Sequence, residues 1–106
     1  MLKTTADTVP DREIEETLGL VVSNAVRARH VGRDILAGLK NIVGGEIGAY
    51  QHLLMESREQ AIQRVEADAA AMGADAIVAM RMATSNIAQG ASEVLVYGTA
   101  VKLRAQ

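Results

Sequence analysis

The sequence predicts an α+β fold in which helices pack on one face of a mainly antiparallel sheet, in the order β-β-α-α-β-β. Three observations support it: apolar residues alternate near both ends of the chain, they recur at helical spacing in the middle, and glycines or polar turns separate these segments. The chain has 106 residues, which is enough for one hydrophobic core and too few for two. We therefore expect a single domain over residues 1–106.

Two extended segments are predicted before the helices, and a turn that contains the only proline, Pro10, separates them. The first spans Leu2 to Thr5. The second runs from about Ile14 to Val26, with the turn-prone pair Ser23-Asn24 marking its end. The apolar residues of this second segment are Leu18, Leu20 and Val22, which alternate with Thr17, Gly19 and Val21.

Two helices are predicted next. The first is indicated from Gly32 onward by apolar residues on one helical face: Ile35, Leu36, Leu39, Ile42 and Val43. We expect Gly44-Gly45 to end it, because glycine tolerates the left-handed conformation common just after a helix. The second helix follows Glu46-Ile47-Gly48 and ends in the same way at Gly73. Its apolar stripe consists of Tyr50, Leu53, Leu54, Ala61, Ile62, Val65, Ala69 and Met72.

Two further strands, Ala76 to Ser85 and Glu93 to Leu103, are predicted to form a hairpin whose connection contains Gly90. In the first of them Val78, Met80 and Met82 are expected to share a face. Both strands carry apolar residues on both faces, although a sheet with helices on one side alone normally exposes its other face to water. A neighbouring copy of the chain is the simplest cover for that face, and replacing Val96 or Val101 with aspartate should dissociate the assembly if either residue lies in the contact.

Composition favours the same conclusion, because the apolar residues are numerous but small. Eighteen of them are alanine, two are tyrosine, and phenylalanine and tryptophan are absent. Small side chains contribute less when they are buried, so a single copy gains little from its core. We therefore expect the chain to self-associate.

Charge and residue usage exclude several classes of protein. The net charge is −2, and no run of like charge suggests binding to nucleic acid or to an anionic membrane. The absence of cysteine excludes disulfides, thiolate nucleophiles and cysteine-based zinc fingers. The chain has no apolar stretch of membrane-spanning length and no signal-like N-terminal segment, so we expect a cytoplasmic protein.

Few residues suggest a metal or anion site. His52 and Glu56 are four apart on the second predicted helix, as two ligands of a metal would be, and His30 is the only other histidine. A solvated pair is the favoured interpretation, because a zinc or copper site needs at least three protein ligands. Gly44-Gly45-Glu46-Ile47-Gly48 precedes a helix and could bind an anion, but it matches neither common phosphate-binding pattern, and a structural turn is favoured.

The remaining candidates are polar residues that could meet at a cleft or a subunit contact. Arg33-Asp34 begins the first predicted helix, where Asp34 interacts favourably with the helix dipole. Glu93 and Tyr97 lie on the same face of the last strand, and Arg81 in its partner strand could oppose one of them. A cross-strand pair or a subunit contact is favoured over ligand binding.

Covalent catalysis receives no support from the sequence. The serines at positions 23, 57, 85 and 92 lack a neighbouring histidine, and the pattern G-x-S-x-G is absent. No residue indicates a reaction, so we expect a protein that is not an enzyme.

Several ordered motifs resemble those of the YbjQ-like family of small bacterial and archaeal proteins, which carries a heavy-metal-binding label. They are Gly32-Arg33-Asp34-Ile35, Asn41-Ile42-Val43-Gly44-Gly45-Glu46, Tyr50, Gly73-Ala74-Asp75-Ala76-Ile77 and Tyr97-Gly98-Thr99-Ala100-Val101. The resemblance covers the chain from about Leu18 to Leu103. It implies a two-layer, dodecin-subunit-like α/β subunit in a ring of five identical copies, joined by extra short strands.

The sequence therefore favours a non-catalytic, homo-oligomeric cytoplasmic protein that binds a small ligand or a partner between its subunits. Arg33, Asp34, Arg81, Glu93 and Tyr97 are the candidate residues for that contact. The alternative is a heavy-metal-binding protein in which a divalent ion is held by His30, His52 or Glu56 from several copies. The glycines at positions 44, 45, 73 and 98 are predicted to act in turns and close packing.

Overall fold

A computed structural model of the chain describes residues 1–27, 48–88 and 91–105. One helix packs against a four-stranded mixed sheet, which confirms the predicted α+β class. The elements are β1 (Leu2–Lys3), β2 (Ile14–Arg27), α1 (Gly48–Ala71), β3 (Ala76–Ala88) and β4 (Ala91–Leu103). The first predicted helix, with its end at Gly44-Gly45, lies outside the described residues, as does Gly90.

The strands are arranged in the order β1-β3-β4-β2. β4 pairs antiparallel with both β3 and β2, whereas the short β1 runs parallel to β3. The turn predicted at Ser23-Asn24 is wrong, because these two residues continue β2 and pair with Val96 and Leu95. Pairing along a long neighbouring strand outweighs the local turn preference of serine and asparagine. The hairpin connection is also shorter than predicted, since β3 extends to Ala88 and β4 starts at Ala91.

The helix packs through a row of small side chains spaced four residues apart. Ala61, Val65 and Ala69 are completely buried, and Ser57 continues the row at 1% exposure. Because these side chains are small, the helix can lie close to the strands. They form one core with the sheet residues Val21, Ala25, Ile77, Met80, Val94, Val96 and Ala100. The predicted stripe fails at its C-terminal end, where Met72 lies after the helix and is exposed.

The helix ends in a Schellman motif at Gly73. Gly73 has a φ of 84° and donates its N–H to the carbonyl of Ala70 at 3.0 Å. Ala74 donates to the carbonyl of Ala69 at the same distance. A left-handed residue is required here, and glycine adopts that conformation without the cost that a Cβ atom would impose.

The face of the sheet turned away from α1, called the far face below, is partly covered by the chain itself. An N-terminal arm, residues 4–13, crosses it and buries Val9. Val9 packs in a second cluster with Ala76, Val78, Val101, Leu103 and the half-buried Ile14. Self-association is therefore not needed to cover this part of the far face.

A β-bulge in β3 changes which residues face the helix. Val78 pairs with Thr99 and Arg81 pairs with Tyr97, so Ala79 and Met80 together lie opposite Gly98. Ala79 adopts a φ of 52°. The extra residue reverses the alternation, so that Val78 lies in the far-face cluster and Met80 in the core beneath α1. The prediction that these two residues share a face is therefore wrong.

Gly98 lies where the bulge brings two backbone segments together. A Cβ atom at this position would meet the Cγ2 atom of Ile77 at 2.6 Å and the carbonyl oxygen of Val78 at 3.2 Å. Ile77 is completely buried and Val78 is 4% exposed, so neither neighbour can move aside freely. The close contact explains why a residue without a side chain occupies the middle of a central strand.

We predict that Gly98→Ala lowers the free energy of unfolding by about 1–3 kcal/mol through overpacking. Urea denaturation would measure the change, with Ala83→Ser as the control. That control adds one heavy atom at an exposed position of the neighbouring strand and should change stability by less than about 0.5 kcal/mol. Equal effects of the two substitutions would contradict the packing argument.

An ion-pair cluster joins β1 to α1. The Lys3 ammonium group lies 2.8 Å from one carboxylate oxygen of Glu66, and the Met1 amino group lies 3.3 Å from the other. The hydrogen bond from Lys3 lowers the pKa of Glu66, and the hydrogen bond from the Met1 amino group lowers it further. This cluster holds the start of the chain against the helix at the edge of the sheet.

We predict that Glu66→Gln destabilises the protein in a pH-dependent way. Because the pKa of Glu66 is lower in the folded chain, its stabilising effect is complete above the unfolded value of about 4.3 and is lost as pH falls through the folded value. The stability difference between wild type and variant should therefore be largest above about pH 5 and should disappear in acid. Thermal unfolding between pH 3 and 7 would test this, with the exposed Glu59→Gln on the same helix as control. A pH-independent difference would argue against the ion pairs.

Candidate functional site

The uncovered part of the far face carries three exposed apolar or aromatic side chains, called the far-face patch below. Leu20 is 68% exposed, Val22 46% and Tyr97 37%. Val22 pairs directly with Tyr97, and Leu20 pairs with Thr99 two residues further along β4. Directly paired and alternate residues share a face, so the three side chains form one surface.

Arg81 lies at the boundary between this patch and the N-terminal arm. It pairs with Tyr97 in the register of β3 and β4, which agrees with one of the two predicted oppositions. Its Nη1 atom donates to the carbonyl of Thr5 at 2.8 Å and to the carbonyl of Met80 at 2.9 Å. The guanidinium group therefore links Thr5 of the arm to Met80 of the bulge, next to Tyr97.

Glu93 lies at the other end of the patch. It is half-buried and accepts a hydrogen bond from Nδ2 of Asn24 at 3.3 Å. The carbonyl of Asn24 in turn accepts from Nη1 of Arg64 on α1 at 2.9 Å. Tyr97 and Glu93 are four residues apart on one strand, about 13 Å. The structure thus places Arg81 directly beside Tyr97 and Glu93 about 13 Å further along β4, so the three side chains do not meet in one cleft.

The other predicted site residues fall largely outside the described part of the chain. These are His30, Arg33, Asp34, Gly44, Gly45 and the side chain of His52. Glu56 is exposed on α1 and already has an interaction partner. Over residues 1–27, 48–88 and 91–105, no three histidine, cysteine, aspartate or glutamate side chains are grouped closely enough to hold a metal ion.

The sequence identified the wrong valines as candidate contact residues. Val96 is completely buried beneath α1, and Val101 is 1% exposed beneath the N-terminal arm. Leu20 and Val22, which are exposed, were predicted only as part of an alternating strand. Two register shifts in β2, between Ile14 and Glu16 and between Thr17 and Gly19, place Leu18 against the helix-side core while Leu20 and Val22 lie on the far face. Alternation alone does not predict such shifts. In the structure, the second shift ends at Gly19, which has a φ of 135°.

Comparison with known proteins places the chain in a family. A family model described as "Putative heavy-metal-binding", of the YbjQ type, matches residues 1–104. The chain belongs to this family. The predicted resemblance is therefore confirmed, and it extends further towards the N-terminus than the motifs from Leu18 onward indicated.

Two relatives are identical to this YbjQ-family chain at more than half of the aligned positions. A UPF0145 protein of Photobacterium profundum is 58% identical over 103 residues, covering 97% of this chain and 100% of its own length. A UPF0145 protein of the archaeon Archaeoglobus fulgidus is 56% identical over 101 residues, covering 95% of this chain and 94% of its own. The two matches span nearly the whole of both chains.

A solved structure shares the fold. It is a protein of unknown function from Pediococcus pentosaceus, assigned to the DUF74 family, with a TM-score of 0.65 and 17% identity. The match covers 98% of each chain. In the described residues, no helix combines the length and the apolar character needed to cross a membrane.

Proposed function

We propose that this YbjQ-family protein is a non-catalytic cytoplasmic module that self-associates through the far-face patch. The observation that carries the proposal is the exposure of Leu20, Val22 and Tyr97 side by side on one sheet face. A ring of five copies is the assembly that the family resemblance implies. A small ligand or partner would then bind between neighbouring copies.

Physical chemistry supports a protein contact at this surface. Leucine and valine side chains are stabilised by roughly 1.5–3 kcal/mol each when fully removed from water. A tyrosine beside them suits an interface, because its ring can be buried while its hydroxyl group keeps a polar partner. Contiguous exposed apolar side chains with a polar rim are typical of interaction sites.

The polar rim supplies the candidate ligand contacts. Arg81 borders the patch beside Tyr97, and Glu93 lies beyond the end of the patch that Tyr97 and Val22 form. Together with Tyr97, these residues offer a cation, an anion and a hydroxyl group to a molecule held between copies. Arg33 and Asp34 complete the proposed set, although they lie outside the described residues.

We predict that Leu20→Glu weakens self-association at least tenfold, because it places a charge in the centre of the patch. Sedimentation velocity over a range of protein concentrations would measure the shift towards monomer. Met55→Glu is the matched control, since Met55 is 57% exposed on α1, in the other layer of the fold. A folded monomer of wild type at micromolar concentration, or an equal response of both variants, would refute the proposal.

Heavy-metal binding is the second candidate, and the description of the family is the observation that favours it. The described residues of a single copy do not provide the donor set, since they contain no suitable group of three. In this second proposal, symmetry brings together His30, His52 and Glu56 of several copies. Metal binding of this kind therefore depends on self-association.

We predict that a metal site, if built this way, is lost together with the assembly. Calorimetric titration of wild type with zinc, copper and nickel should give heat and a raised melting temperature, whereas Leu20→Glu should give neither. His52→Ala should remove the heat while leaving the assembly intact. No heat with any of the three metals would remove this candidate.

A further inference from the structure

Two methionine side chains follow one another on the helix side of β3. The bulge places Met80 in the core beneath α1. Met82, two residues later, lies on the same side, because it pairs with Val96, which belongs to that core. Met80 is 7% exposed and Met82 is 51% exposed. A buried thioether is therefore followed by an accessible one on the same face of the strand.

α1 carries a third methionine on the flank that faces β3. Glu66 contacts Lys3 of β1, the strand beyond β3, so the flank with Glu66 is turned towards these two strands. Arg64, on the other flank, bonds to the carbonyl of Asn24 on β2. Met55 precedes Glu66 by eleven residues, or three helical turns, and so shares its flank. It is 57% exposed.

The direction of α1 brings Met55 towards the part of β3 that contains Met82. The helix ends near the end of β4, because Gly73 lies against Lys102, whose Cε atom would be 3.5 Å from a Cβ atom at Gly73. The start of the helix therefore lies towards the start of β4. Because β3 and β4 are antiparallel, this is the region of the C-terminal half of β3.

Distances along the two elements place these methionines at a similar level. The contact between Lys3 and Glu66 gives a common reference point, since Lys3 pairs with Ile77 of β3. Met55 lies about 16.5 Å from Glu66 along the helix axis. Met82 lies about 13 Å from Ile77 along β3, once the extra residue of the bulge is subtracted. The difference is within the reach of two unbranched methionine side chains.

The chemistry of this cluster, Met55, Met80 and Met82, is that of a soft metal ligand set. The chain has five methionines and no cysteine, so thioethers are its only sulfur donors. Thioether sulfur selects Cu(I), whereas carboxylates and imidazoles suit divalent ions. The group of three that the described residues lack consists of histidine, cysteine, aspartate or glutamate, and methionine is not among these. β-bulges are frequent beside functional sites, where they redirect side chains.

We propose that Met55, Met80 and Met82 bind one Cu(I) ion between α1 and β3 of a single copy. Each sulfur atom donates a lone pair, and no electron is transferred. This assigns a metal class and a donor set within one chain to the heavy-metal description of the family. The cluster lies on the helix side of the sheet, away from the far-face patch, so the inference does not rest on self-association.

The first test uses Ag(I), a soft monovalent ion that is stable in air, as the probe. In protein labelled with ¹³C at the methionine methyl groups, we expect Ag(I) to shift the NMR signals of the three cluster methionines and to saturate at one ion per chain. Met1 and Met72 are internal controls and should not shift. Anaerobic Cu(I) should displace Ag(I), and zinc should not. Equal shifts of all five signals, no shift, or displacement by zinc would overturn the inference.

The second test removes one sulfur atom at a time. Met82→Leu conserves most of the side-chain volume, and we expect it to weaken Ag(I) binding at least tenfold in calorimetric titration. Met72→Leu is the matched control, because Met72 is 40% exposed and its methyl group lies beside Gly19 of β2. Met55→Leu, on a different element, should also weaken binding and guards against a local defect in β3. Equal affinities of Met82→Leu and Met72→Leu would refute the site.

Two further variants separate this inference from the proposed function. Leu20→Glu and His52→Ala should both retain Ag(I) binding, since the cluster includes neither the far-face patch nor a histidine. If Ag(I) binds as expected but wild type does not self-associate, the proposed function fails and this inference stands. If Leu20→Glu abolishes Ag(I) binding, the ligands come from different copies and the single-copy site is overturned.

Discussion

The central constraint on this fold is a sheet that is apolar on both faces, of which α1 covers only one. Beneath the helix, a row of alanine and valine side chains meets the strands closely and excludes water. On the far face the chain uses ten residues of its own N-terminus, anchored by Val9, to cover the half nearest the end of β4. Leu20, Val22 and Tyr97 remain exposed because the arm does not extend over them. The candidate site is therefore the part of the sheet that neither the helix nor the arm covers.

The bulge at Ala79 and Met80 links these two surfaces. It accommodates an extra residue opposite Gly98, sends Met80 into the helix-side core and leaves Val78 under the arm. The same reversal of alternation places Arg81 on the far face, where its guanidinium group donates a hydrogen bond to the carbonyl of Thr5. Packing, arm attachment and the polar rim of the patch thus depend on one local irregularity, and Gly98 makes room for it.

The family relationship and the geometry bear on different aspects of function. The family description refers to heavy metals, yet the described part of one copy groups no set of three histidine, cysteine, aspartate or glutamate ligands. The geometry instead presents an apolar surface bordered by Arg81 and Glu93, which is suited to protein contact. In the arrangement proposed above, metal ligands from different copies come together, so both proposed functions depend on self-association.

Much of the fold follows from the sequence by itself. Alternation in β4, the four-residue spacing of Ala61, Val65 and Ala69, and a glycine after the helix are local patterns, and each predicts its element correctly. The motifs also identify the family. The tertiary structure alone decides which side chains face the helix, because the bulge in β3 reverses the alternation and the register shifts in β2 turn Leu18 away from the face of Leu20. Val96 and Val101 are buried because α1 covers one face of β4 and the N-terminal arm covers part of the other, whereas Leu20, Val22 and Tyr97 are exposed.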